Sequence, residues 1–110
     1  MGRQIFLFLF AASLVTGCVA TPSQTEVEQQ RLGVMVQALQ QAIAVPTPEH
    51  LEVIARYGTD SRYYVMVRGW LVQTLSGVES QLAASGDAAP EAMRAQAEHL
   101  RAAIRRIDLE

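Results

Sequence analysis

The chain has 110 residues and a formal net charge of −2, its nine basic residues all arginine against eleven acidic ones. That length holds one small domain, and a scattered, slightly acidic charge excludes a nucleic-acid binder built on a clustered basic surface. A single cysteine excludes an internal disulfide or a cysteine metal site, and abundant alanine with few aromatics favours helices.

The first element is a leader. Met1-Gly2-Arg3-Gln4 carries one arginine beside the amino terminus, and residues 5–15 are almost wholly apolar. This run of about 11 residues is far short of the roughly 20 that a membrane-spanning helix needs. Met-Gly at the start does not signal myristoylation, because Phe6 stands where Ser or Thr is required. Small residues then lead to Cys18, in the layout of a cleaved signal peptide. Val15-Thr16-Gly17-Cys18 resembles the lipobox of bacterial lipoproteins. That resemblance implies cleavage before Cys18, a diacylglyceryl thioether on its sulfur and usually an N-acyl chain, which together anchor firmly where one chain would not. Val19, rather than Asp, follows the cysteine, which in the same class implies the outer membrane, facing the periplasm. The expected organisation is a signal peptide over 1–17, a lipidated tether over 18–24 and a helical domain over 25–110.

Four helices are predicted in the remainder. The first runs over about 23–44, with two overlapping capping boxes, Thr21-Pro22-Ser23-Gln24 and Ser23-Gln24-Thr25-Glu26, competing for its start. Leu32, Met35, Val36, Leu39 and Ile43 share one face, and Val45-Pro46 stops it. A short helix over 48–57 is capped by Thr47, opened by Pro48 and ended by Gly58, with Leu51 and Ile54 inward and Glu52 placed to pair with Arg56. The third and longest covers about 61–84, opened by Asp60 or Thr59 and closed at Ser85-Gly86. Its inner stripe is Tyr64, Val67, Leu71, Leu75, Val78 and Leu82. The fourth covers about 89–108 and repeats Met93, Ala97, Leu100, Ile104 and Ile107 at 4-3-4-3 spacing, a short heptad seam. No segment alternates as a strand. The expected fold is an all-α antiparallel bundle of about four helices.

Reactive chemistry is thin. His50 and His99 fall on different helices with no ligand pattern, and both read as solvated surface residues. Asp60, Asp87 and Asp108 lie at helix ends, where carboxylates cap. No phosphate loop, nucleophile elbow or His-Glu-x-x-His motif is present, so neither an enzyme, a metal nor a cofactor is expected. The crowded segment 62–70 is the strongest surface candidate. Five consecutive apolar or aromatic residues circle the helix there, and one buried face cannot take them all. Either neighbouring helices enclose it, or Arg62, Tyr63, Met66 and Trp70 stay open as a partner-binding groove, in keeping with the aromatic and Arg content of interface hot spots. The seam of the fourth helix reads as core, with a coiled-coil contact as the alternative. Arg101, Arg105 and Arg106 suit the C-terminal end of a helix.

The leading expectation is a small outer-membrane-anchored helical adaptor for another envelope protein. In layout the chain resembles the pilotins, small helical lipoproteins that escort secretin subunits. The alternatives are a structural envelope lipoprotein that self-associates through its first and fourth helices, and a binder of a small apolar ligand between the second and third.

Overall fold

The computed structural model describes residues 23–110. The lipobox residues Val15, Thr16, Gly17 and Cys18 lie outside the described residues. Four α-helices follow in order: α1 Gln24–Ala44, α2 Pro48–Gly58, α3 Tyr64–Ser85 and α4 Glu91–Leu109, with a single 3-10 turn at Gly86–Ala88. Among the described residues there is no strand, and no helix is long and apolar enough to cross a membrane. The fold is a small all-α bundle.

The local signals act largely as their chemistry dictates. Ser23 wins the contest to start α1: its Oγ accepts a hydrogen bond from the Glu26 amide at 3.3 Å. Thr47 caps α2 in the same way, accepting from the His50 amide at 3.1 Å, and Pro48 fills the first turn where no N–H is needed. Gly86 closes α3 with φ 55°, a conformation that side chains with a Cβ resist. The start of α3 departs from expectation. Asp60 opens a turn and not the helix: its carbonyl accepts from the Tyr63 and Tyr64 amides, each at 2.9 Å, and its carboxylate accepts from the Arg62 amide at 3.0 Å. The turn takes up residues 60–63, so α3 begins at Tyr64. Pro90 lies just outside α4 as its N-cap.

The core joins Met35, Leu39, Ala42 and Ile43 of α1, Ile54 of α2, Val67, Leu71 and Val78 of α3, and Ala97, Leu100, Ala103 and Ile107 of α4. Leu39, Ile54, Leu71 and Leu100 are fully buried, and each contributes about 1.5–3 kcal/mol by leaving water. The heptad seam of α4 packs on this core, with Ala97, Leu100 and Ile107 buried and Met93 and Ile104 half-buried against it. The long α4 packs mainly along α3, and α2 packs on α1 and against both of these helices. Gly58 marks the place where α2, α3 and α4 meet. A Cβ there would stand 2.6 Å from Ile107 Cγ2 and 3.3 Å from Val67 Cγ1, so glycine is what allows α2 to approach so closely.

Polar links tie the helices from outside. Tyr64 Oη donates to Asp108 at 2.7 Å, and Arg68 grips the same carboxylate through Nε at 3.0 Å. Arg68 and Tyr64 together hold the Asp108 carboxyl below its usual value, while Asp108 raises the Tyr64 phenol. Glu52 pairs with Arg106 of α4 at 2.9 Å, not with Arg56 one turn along its own helix. Arg106 also meets Glu110, and Arg101 is shared between Glu79 and Glu98.

His99 is not a surface residue. It is buried, and its Nε2 donates to the Ala42 carbonyl at 2.8 Å. In a helix that carbonyl would be bonded by the residue four positions on, but position 46 is proline and has no N–H. The imidazole of α4 supplies the missing donor. A carbonyl only accepts, so Nε2 carries the hydrogen. His50, half-exposed, does similar work through Nδ1, donating to the Val45 carbonyl at 2.7 Å. Both histidines thus complete the end of α1, which has no C-terminal glycine or basic residue of its own.

Candidate functional site

The first half of α1 is Gln-Thr-Glu-Val-Glu-Gln-Gln-Arg-Leu-Gly-Val, and among these residues only Val27 is half-buried. Contact with the core begins at Met35. About three turns of helix therefore run clear of the bundle core. Leu32, expected inside, is 42% exposed, and Val34 is 65% exposed. Below this projecting half lie the end of α2 and the turn into α3. The two sides enclose a groove of about 640 Å³.

One wall is supplied by Val27, Gln30, Arg31 and Val34, with Met35 at its inner end. These four follow i, i+3, i+4, i+7 spacing, so they fall on one face of α1. The opposite wall is Arg56, Tyr57, Asp60, Arg62 and Tyr63. A local hydrogen-bonded turn shapes this second wall. Asp60 Oδ1 accepts from Arg62 Nε at 3.1 Å, and Oδ2 accepts from an Arg62 terminal nitrogen at 2.9 Å. The Arg62 guanidinium also stands over the Tyr63 ring, 5.1 Å from its centroid. Arg62 holds the Asp60 carboxyl below its ordinary value, and Asp60 in turn raises the guanidinium, with a smaller contribution from Glu28. Asp60 is therefore an ionised, satisfied group and brings no free acid to the groove.

The structure divides the four residues proposed from sequence. Arg62 and Tyr63 line the groove. Met66 is 42% exposed on the outer side of α3. Trp70 is half-buried and packs against the core, so the enclosed and open readings of segment 62–70 each hold for part of it. Val65, beside Met66, is 79% exposed and marks the fully open side. The groove lies between α1 and the α2–α3 corner, not between the second and third helices alone. Its α1 wall is a second stripe, beside the core-facing one that helical period predicts for the first helix. The signal that could have found it is the second stripe, Val27 with Val34 seven residues on and Arg31 between them.

Among the described residues no three His, Cys, Asp or Glu side chains converge as a metal site. Every buried side-chain nitrogen and oxygen among them has a partner. What the arrangement can do is bind: it offers aromatic and aliphatic surface in a concave setting, rimmed by arginine. Comparison with protein families, curated proteins and solved structures finds no match to this chain.

Proposed function

We propose that this protein is a lipid-anchored envelope adaptor, held at the outer membrane by Cys18, that captures a segment of another envelope protein in the α1 groove. The observation that carries the reading is where the groove lies. Its lining begins at Val27, one turn into the helix that follows the tether. From Cys18 to Ser23 the chain reaches at most about 20 Å when fully extended. A surface so close to a lipidated cysteine favours partners that are themselves at the membrane. Val34 is also costly to leave in water, and a docked segment would cover it. The groove is open along the α1 side, as the exposure of Val34 shows. Small-molecule pockets enclose most of their ligand, so a protein segment suits this site better than a small apolar ligand.

Two measurements test the proposal. Mass spectrometry of the membrane fraction should find a processed, acylated Cys18, and Cys18→Ala should release the protein from the membrane. A photo-crosslinking amino acid at position 34, in intact cells, should yield one heterologous adduct that the same probe at exposed position 73 does not. An unmodified, uncleaved N-terminus would refute the anchor. Adducts only between copies of this chain would refute the adaptor and favour a self-associating structural lipoprotein.

A further inference from the structure

We infer that the groove is built for an acidic partner segment, whose apolar side chains rest on Val34, Met35, Tyr57 and Tyr63 while its carboxylates meet Arg31 and Arg56. This rests on the adaptor reading and adds the chemistry of the partner.

The argument starts from how the arginines are used. Arg62, Arg68, Arg94, Arg101 and Arg106 each sit in an ion pair. Arg31, Arg56 and Arg105 have no such pair among the described residues. Two of these three line the same groove, one on each wall. In a chain of net charge −2, with more acids than bases, two unpaired guanidinium groups facing one concavity are a local reversal of sign. The helix dipole accounts for a cation at Arg56, in the last turn of α2. Arg31 follows Glu28 by one turn of α1 but forms no ion pair with it. The acid within the groove does not neutralise them, because Asp60 is already held on two sides by Arg62.

The geometry favours a protein segment over anionic headgroups as the source of negative charge. A bilayer face is broad and cannot enter a groove of about 640 Å³ between two helical walls. Side chains can. Arginine stems also add apolar cover while their heads reach outward, so the rim matches a segment that is apolar at its centre and acidic at its flanks. Aromatic residues with arginine are the composition that anchors such contacts.

The test uses the full-length protein in detergent micelles and a displayed library of random twelve-residue peptides. Selected peptides should carry acidic residues on either side of an apolar centre. Their affinity should fall about tenfold for the double variant Arg31→Glu, Arg56→Glu, the size expected from losing two exposed ion pairs. A similar loss should appear in 0.5 M salt, which screens such pairs. Circular dichroism of the double variant should show a folded helical protein whose melting temperature falls by only a few degrees, the cost of an acid in the last turn of α2. Selection of neutral or basic peptides that Val34→Asp abolishes, but the double variant leaves intact, would overturn the inference while leaving the adaptor standing. Competition by phosphatidylglycerol vesicles, lost in the double variant, would reassign both arginines to headgroups and also overturn it. Failure of the adaptor itself is read separately, by the cross-linking from position 34.

Discussion

Gly58→Ala is the sharpest test of how the bundle is assembled. The change adds one methyl group at the junction of α2, α3 and α4, and on helix propensity alone it should stabilise the protein by about 1 kcal/mol. The structure predicts the opposite. The new Cβ would lie 2.6 Å from Ile107 Cγ2 and 3.3 Å from Val67 Cγ1. Neither neighbour can retreat easily, since Val67 is fully buried and Ile107 nearly so. Both are β-branched and stiff at χ1. Overpacking of this kind costs about 1–3 kcal/mol, which leaves a net loss of up to about 2 kcal/mol after the gain in propensity. For a domain this size that lowers Tm by up to about 10 °C. Urea denaturation, followed by circular dichroism and by Trp70 fluorescence, measures it directly. A double-mutant cycle with Ile107→Ala strengthens the test. Ile107→Ala alone should cost about 2–5 kcal/mol through a cavity, and the added methyl should fill part of that cavity. The double variant should then be more stable than the sum of the two losses implies. A stabilised Gly58→Ala, or strict additivity, would refute the close approach of α2 to α4.

Other outcomes follow from named contacts. His99→Leu should cost about 1–3 kcal/mol by leaving the Ala42 carbonyl without a donor, whereas His50→Leu at its half-exposed site should stay within about 0.5 kcal/mol; equal losses in urea melts would contradict the assigned roles. The Tyr64–Arg68–Asp108 link should carry a pH signature. Asp108 is lowered from 3.8, so its contribution is full above that value and fades as pH falls through the lowered one. Tyr64 is raised from 10.0, so its contribution is full below that value and fades as pH rises through the raised one. The stability gap between the native protein and Tyr64→Phe should therefore hold at neutral pH and close above about pH 10; a gap that persists there would remove the hydrogen bond to Asp108 from the account. Trp70→Ala should cost about 2 kcal/mol, below the 3–5 kcal/mol of a fully buried aromatic, because Trp70 is only half-buried; an unchanged Tm would return it to the partner surface.

Much of the fold was legible because its determinants are local. Ser23, Thr47, Pro48 and Gly86 act on backbone groups within four residues of themselves, so their roles follow from sequence order. The inner stripe of α3 and the seam of α4 follow from helical period, and Val67, Leu71, Val78, Ala97, Leu100 and Ile107 are all buried as that period requires. The errors share one cause. Leu32 has the right period but sits where α1 has left the core. His99 looked polar and was placed outside, although the proline at 46 had left a carbonyl that needed a donor from a distant helix. Glu52 had an acceptable partner in Arg56 and took Arg106.

By itself, then, the sequence determined a helical domain, its turn positions and its core stripes, and carried the lipobox pattern at Cys18 on which the proposed anchoring stands. Tertiary structure decided which stripe was left over. Val27, Gln30, Arg31 and Val34 are an unremarked second face of α1 until Tyr57 and Tyr63 are brought opposite them. A groove is a relation between elements far apart in the chain, set by how far α1 outruns the bundle and by how tightly Asp60 turns the backbone beneath it. Helical period carries no information about either distance.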